Sequence, residues 1–405
     1  MKPYYVARIA DDVYWVGVKD WNRRLFDALI PLPQGTSYNS YLITGKKKIA
    51  LIDTVNPGFH AELCDKINTV GDVSKIDYLV MNHAEPDHAS AIPDIMKASE
   101  NATLVATRKG AEMASLYFGV PMGRIRIVAD GDSLDLGGKT LRFTEAPWLH
   151  WPETMFTYLA EDRILFPCDF FGAHTAVGLF DDEVPDLLPL AQRYFGEIMM
   201  PFRRMGEKAV SKVKDIDTAM IAPSHGPIYR NPRRILDEYE RWTAGETREK
   251  ALIAYASMWG STDRMVETMT ETLSSEGIEV RIFNIPYADV GDIARELVDA
   301  RAIVLGSPTV IGGLHPLVAY LVSLVNVLKP PASLAAFLGS YGWGGGALRQ
   351  ASELLRPSKI ELTGAVEVHG PPGNDDLRKV EELGRLLAEK IRGGKRRLAT
   401  TAAVA

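Results

Sequence analysis

The stretch Ile76-Asp77-Tyr78-Leu79-Val80-Met81-Asn82-His83-Ala84-Glu85-Pro86-Asp87-His88 decides the reading of this chain. An apolar, strand-like run exits into a segment that carries four metal-capable side chains within six residues. On extended backbone, His83 and Glu85 lie two apart and project together, while the adjacent Asp87 and His88 must turn elsewhere. Spacing of this kind cannot aim all four groups at a single ion. It predicts two neighbouring metals at the end of a strand.

Three further positions extend the pattern. His150 stands in Trp148-Leu149-His150-Trp151, after the strand-like Leu141-Arg142-Phe143-Thr144. Asp169 ends the apolar run Ile164-Leu165-Phe166-Pro167-Cys168, and His225 follows Met220-Ile221-Ala222-Pro223-Ser224. Each lies just beyond the C-terminal end of a predicted strand, and such ends can converge on one edge of a sheet. Together the positions offer four imidazoles and three carboxylates, a set suited to two ions that share a bridging carboxylate.

The order His83-x-Glu85-x-Asp87-His88, then His150, Asp169 and His225, resembles the diiron site of the flavodiiron proteins, whose first domain has the metallo-β-lactamase fold. Gln34-Gly35-Thr36-Ser37-Tyr38-Asn39 and Leu149-His150-Trp151-Pro152 resemble that family too, and the likeness runs roughly from residue 4 to residue 393. It implies that one iron takes His83, Glu85 and His150, that the other takes Asp87, His88 and His225, and that Asp169 bridges them. The zinc hydrolases related by that fold carry a second histidine where Glu85 stands. A carboxylate there makes the site harder and more anionic, which favours a metal that must reach the ferric state, although affinity ordering still lets zinc compete.

Composition sets the frame. At 405 residues the chain exceeds one ordinary core and should divide into two or three domains. A hydrophobic share of 46% and a charged share of 24% are ordinary for a globular protein, and a net charge of −6 gives no support for nucleic-acid binding. Two cysteines, Cys64 and Cys168, exclude a disulfide framework or a cysteine-rich metal module. The N-terminus lacks a signal-peptide core, and the longest apolar stretch, Val318 to Leu328, is too short to span a bilayer. The expected compartment is the cytoplasm, with no membrane partner.

Strands and helices mix up to about residue 240, and Arg241–Glu249 reads as a polar joint. Beyond it, strand and helix alternate strictly, the mark of an open parallel sheet. Strands are expected at Ala251–Ala256, Val280–Ile285, Ala302–Gly306, Leu334–Gly339 and Val366–His369, with amphipathic helices between them. The whole reads as α/β: the resemblance implies a metallo-β-lactamase-like αββα domain over residues 1–245, and the alternation predicts a flavodoxin-like doubly wound parallel sheet over 246–393. Residues 394–405 have no core pattern and read as a disordered tail.

Three loops at strand ends predict a flavin site. The first, Ser257-Met258-Trp259-Gly260-Ser261-Thr262, places small and hydroxyl residues before a helix, a ready anion site. It resembles the flavodoxin phosphate loop, with Trp259 in place of a usual threonine. The second offers Ser307, Pro308, Thr309, Ile311, Gly312 and Gly313; the third offers Ser340, Tyr341, Gly342, Trp343, Gly344 and Gly345. Glycines let backbone approach a ligand and aromatics can stack on an isoalloxazine. No dinucleotide fingerprint or Walker lysine is present, so FMN is the expected ligand.

Two irons with FMN point to redox chemistry, and the resemblance implies reduction of dioxygen to water, of nitric oxide to nitrous oxide, or of both. It also implies a separate electron donor, rubredoxin or reduced coenzyme F420. A head-to-tail homodimer or dimer of dimers would bring one subunit's FMN, with Trp343, beside the other's irons. His174 follows Asp169 closely and is a candidate proton donor; Tyr194, in the pair Tyr194-Phe195, is a weaker candidate for the pocket. The alternative is a metal hydrolase with an accessory flavodoxin-like domain.

Overall fold

The computed structural model describes residues 5–401, side chains included through Gly393. The chain divides into two compact units: Met1–Phe195 with Phe202–Ala244, and Gly196–Pro201 with Gly245–Ala405.

In the first unit, among the described residues, two sheets stack. One runs Ala7–Ala10, Val13–Trp15, Tyr41–Thr44, Ile49–Ile52, Tyr78–Val80, Thr103–Ala106 and Ile125–Ile127, neighbours in that order. The other runs Ser133–Asp135, Thr140–Glu145, Met155–Leu159, Ile164–Phe166 and Met220–Ile221. Alternation along each strand makes the sandwich. Tyr41, Ile43, Ala50, Ile52, Val80 and Val105 face Leu141, Phe143, Leu159, Ile164 and Phe166 of the second sheet in one core. Leu42, Leu51, Leu79 and Leu104 point the other way, onto Leu63 and Ile67 of the helix His60–Val70 and Ile92 and Ile95 of the helix Ile92–Ala98. Behind the second sheet, Phe156 stacks on Phe170, which meets Tyr239 of the helix Pro232–Ala244 edge-on. Helices thus flank both sheets, the αββα layering expected.

The second unit is a parallel sheet ordered Glu279–Asn284, Lys250–Tyr255, Ala302–Val310, Leu334–Tyr341, Glu361–His369, the flavodoxin-like arrangement. One face is buried by Met265, Val266, Met269 and Leu273 of the helix Ser261–Ser275, together with Val380, Leu383, Leu387 and Ile391 of the helix Asn374–Thr401. One expected loop is a hairpin instead. The strand Ala302–Val310 continues through Ser307–Val310 and pairs antiparallel with Gly313–Leu314, because Ile311 and Gly312 both adopt positive φ (48° and 76°) and close a two-residue turn. The stretch 394–405, expected to be a tail, falls at its end outside the described residues; as far as Thr401 its backbone continues the last helix.

Candidate metal and flavin centres

The candidate ligands stand in segments that leave strand ends, and hydrogen bonds hold several of these segments in place. Asn82 donates its backbone N–H and side-chain amide to the buried carboxylate of Asp53 (2.8 and 3.0 Å), fixing the turn into His83. Glu85 is still extended (φ −63°, ψ 139°), and Pro86 then opens the short helix Pro86–Ala89, which carries Asp87 and His88. This is the division of the motif that its spacing predicts. Thr54 holds the turn from below, donating both N–H and hydroxyl to the His88 carbonyl. At the far side, His225 Nδ1–H donates to the Ser37 carbonyl at 2.7 Å, and Ser224 N–H donates to the Cys168 carbonyl beside Asp169.

These anchors bring all seven residues together, in two groups: His83, Glu85, His150 and Asp169, and Asp87, His88 and His225. Asp169 lies between them. Its Oδ1 stands 3.0 Å from His88 Nε2 and 3.4 Å from His225 Nε2; its Oδ2 stands 3.4 Å from His83 Nε2 and 3.5 Å from His150 Nε2. Glu85 Oε2 approaches His83 and His150 Nε2 at 3.2 and 3.0 Å, and Asp87 Oδ2 approaches His225 Nε2 at 3.2 Å.

The donor set fits a metal pair. Two ligand atoms about 2.1 Å from one ion stand about 3.0 Å apart at a right angle and about 3.4 Å apart at the tetrahedral angle, which matches these separations. Yet both Asp169 oxygens, Asp87 Oδ1 and His88 Nε2 are buried without a properly aligned hydrogen bond among the described residues. Lone pairs converge on a shared point rather than on each other's protons. Burial opposes charge on His83, His88 and His150, but the surrounding carboxylates outweigh it and raise their pKa values to about 10, 9 and 10. The site requires positive charge. Cys168 is buried behind Asp169, accepting from Ser224 Oγ at 3.3 Å.

His174 and Tyr194 lie beside the same cluster, with the His174 ring 4.8 Å from Tyr194 and 4.9 Å from His225. Of the aromatic pair, Tyr194 is the member near the cluster; Phe195 packs on Tyr239 and Trp242 instead. Gly172 makes room, since a Cβ there would come within 2.9 Å of the Tyr194 ring. His174 Nε2 and the Tyr194 hydroxyl are buried without hydrogen-bond partners among the described residues. Burial, then His225, pushes the His174 imidazolium pKa well down, and burial, then Asp169, pushes the Tyr194 phenol well up, so both stay neutral.

In the second unit a cavity of about 350 Å³ opens at the strand ends. It is lined by Ser257, Met258, Trp259, Ser261, Thr262, Pro308, Thr309, Ser340, Tyr341, Gly342 and Trp343 of the expected loops. Gly370 and Pro371 also line it; they stand just past the last strand, a position whose only sequence signal was a turn. Gly260, Ser307, Ile311, Gly312, Gly313, Gly344 and Gly345, also expected, are not among its lining residues. Ser307 Oγ accepts from His315 N–H, and Ile311 and Gly312 form the hairpin turn. Gly260 precedes the helix Ser261–Ser275 at φ 84°, and no side chain caps that N-terminus. The Thr309 hydroxyl is buried and unpaired among the described residues. Open backbone N–H groups at a helix start and an unsatisfied hydroxyl fit a phosphorylated flavin.

Sequence reading missed Glu153, which accepts from His83 Nδ1, and Thr36, which contacts His174 Nδ1. The available signal was adjacency: Glu153 follows the quoted His150-Trp151-Pro152, and Thr36 lies inside Gln34–Asn39.

Comparison with known proteins agrees with this geometry. Residues 36–226 match the family model described as ODP family beta lactamase. The chain is 40% identical to a nitric oxide reductase of Moorella thermoacetica, over 95% of this chain and 98% of that one. It is 35% identical to a coenzyme F420H(2) oxidase of Methanocaldococcus jannaschii, over 97% and 99%. Among solved structures, rubredoxin oxygen:oxidoreductase of Desulfovibrio gigas superposes with a TM-score of 0.93 at 29% identity, covering 96% of this chain and 99% of that one. The flavodiiron protein of Giardia intestinalis superposes with a TM-score of 0.92 at 30% identity, covering 97% and 98%. On similarity that spans both units and nearly the full length of each relative, this chain belongs to the flavodiiron protein family.

Proposed function

We propose that this protein is an oxidoreductase that reduces dioxygen to water, nitric oxide to nitrous oxide, or both, with electrons entering through FMN and reaching a diiron centre. The observation that carries the reading is Asp169, whose two oxygens address the two halves of one cluster. His83, Glu85 and His150 would hold one iron, Asp87, His88 and His225 the other, and Asp169 both. When bound, the iron pair and the reduced flavin each supply two electrons, together enough to take dioxygen to two waters, while two suffice to couple two nitric oxides into nitrous oxide and water.

The chain's own residues then manage the protons that either reaction consumes. His174 and Tyr194 are neutral and buried, and His174 Nε2 and the Tyr194 hydroxyl have no partner among the described residues, so they can donate hydrogen bonds to a small ligand without adding charge. Burial of the cluster excludes water and strengthens each of these contacts. In the second unit, the open start of the helix Ser261–Ser275 would receive the FMN phosphate, with Tyr341 and Trp343 beside the ring.

The hydrolase alternative is not favoured, because the relatives are named as reductases and oxidases. A head-to-tail dimer is part of the proposal. It is supported by Trp259, Ile311 and Trp343, large apolar side chains exposed to 90%, 102% and 99% at or beside the flavin cavity. A cytoplasmic location agrees with two unpaired cysteines and, among the described residues, no helix long and apolar enough to cross a membrane. The deciding test is oxygen and nitric oxide consumption by iron- and FMN-loaded protein, with reduced rubredoxin and with reduced coenzyme F420 as donors. Turnover of neither gas with either donor would overturn the proposal.

A further inference from the structure

The geometry points to Glu153 as a positioning residue that fixes His83 and makes the two metal positions electronically unequal. Glu153 is 3% exposed, and one oxygen, Oε1, accepts both the His83 Nδ1–H at 2.7 Å and the Ala84 N–H at 2.8 Å. With Nδ1 committed as a donor, the His83 lone pair lies on Nε2, the atom that faces Glu85 and Asp169. Trp151 closes the ring's other side, edge-on at 5.1 Å.

Glu153 is itself anchored. Its carbonyl accepts from the Thr107 hydroxyl at 2.8 Å, and Thr107 caps the helix Arg108–Phe118 through the Gly110 N–H. It stands three residues beyond His150, so one segment supplies a ligand to the cluster and the group that orients the neighbouring ligand.

The imidazoles of the other group are treated differently. His225 donates Nδ1–H to a neutral carbonyl, that of Ser37, and His88 Nδ1 has no hydrogen-bond partner among the described residues. A carboxylate partner makes an imidazole a stronger electron donor to a metal than a carbonyl does. The iron on the His83 side is therefore the more easily oxidised of the two, and it is the first to leave the fully reduced state.

This inference rests on the two-iron reading, and its test separates the two. Wild type, Glu153→Gln and Glu153→Asp are loaded with ferrous iron, assayed for iron per chain and titrated potentiometrically by electron paramagnetic resonance without substrate. Glu153→Gln keeps an acceptor oxygen for His83 and Ala84 but removes the charge, so its first oxidation should move to more positive potential while the second moves less. Glu153→Asp keeps the charge and should stay nearer wild type. Unchanged potentials in Glu153→Gln, or an equal shift of both steps, overturn the inference. If that variant loads too little iron to titrate, chelator competition replaces titration: its affinity should fall about 10- to 100-fold, and further than that of Glu153→Asp. Equal affinities would again overturn it. Wild type that binds no iron would defeat the diiron reading instead.

Discussion

Thr36 Oγ1 lies 3.0 Å from His174 Nδ1, and this contact selects the tautomer of His174. The Thr36 hydroxyl has one proton to give. Its other neighbours are poor acceptors: His225 Nδ1, at 3.3 Å, is already donating to the Ser37 carbonyl, and that carbonyl is 3.4 Å from Thr36. Donated over the shorter distance, to His174 Nδ1, the proton would leave the ring's own hydrogen on Nε2, which has no partner among the described residues. Thr36→Val keeps the shape and removes the donor. Loss of one hydrogen bond worth about 1 kcal/mol corresponds to about a fivefold fall in kcat. Iron content should stay unchanged and Thr36→Ser should retain activity. Steady-state rates with iron analysis check this; a Val variant as active as wild type refutes the tautomer assignment.

Replacing Asp169 with Ala should cost both metals rather than one, because each of its oxygens serves a different half of the cluster. Wild type should carry close to two irons per chain and the variant almost none, read by elemental analysis after loading. Retention of both irons would remove Asp169 from the site.

The legible part of this molecule was whatever depends on short-range pattern. His83, Glu85, Asp87 and His88 announced themselves by crowding at one strand exit, and the strict alternation after residue 250 gave the parallel sheet. What stayed hidden depends on partners remote in sequence. Glu153 reaches His83 across 70 residues and Thr36 reaches His174 across 138, so adjacency to quoted motifs marks their neighbourhood but no local spacing names their partners. Gly196–Pro201, which groups with the second unit, was equally invisible: a Cβ at Gly196 would meet the Ala294 carbonyl at 2.4 Å, a contact made far along the chain. The hairpin after Thr309 was missed because Ile311, a β-branched residue, holds positive φ against its preference.

Acid extraction followed by chromatography should release FMN and no FAD, since the cavity offers one uncapped helix start for a single phosphate. Gly260→Asp should weaken FMN binding by tenfold or more. A left-handed non-glycine residue costs about 1–2 kcal/mol, and the added carboxylate repels the phosphate. Undiminished FMN affinity, measured by flavin fluorescence titration, would place the phosphate elsewhere.

Metal-free protein should lose stability as pH rises. His83, His88 and His150 have folded pKa values of about 10, 9 and 10 against an ordinary 6.5. A raised imidazole pKa stabilises the fold fully below about pH 6.5, and that contribution disappears as pH climbs through 9 to 10. Bound metal replaces those protons, so loaded protein should show a smaller decline over the same range. Thermal melts of both forms from pH 6 to 10.5 provide the check; parallel curves would mean that these imidazoles do not carry the metal-free cluster's charge.

If FMN of one subunit serves the irons of another, two inactive variants should complement each other. His88→Ala disrupts the metal cluster in the first unit and leaves the flavin loops intact. Gly260→Asp damages the start of the helix Ser261–Ser275 and leaves the cluster intact. Each homodimer lacks one half of every junction and should be nearly inactive. A heterodimer joins the sound flavin of the first variant to the sound irons of the second at one of its two junctions, and should recover up to about half of wild-type turnover per dimer. Differently tagged subunits, co-expressed and purified through both tags, allow the comparison with mixed homodimers at equal concentration. The apolar rim offers an internal control at Ile311, which is exposed and does not line the flavin cavity: Ile311→Glu should weaken assembly and abolish the recovery together. Verified heterodimers with no recovered oxygen or nitric oxide reduction would show that electrons pass within a single subunit.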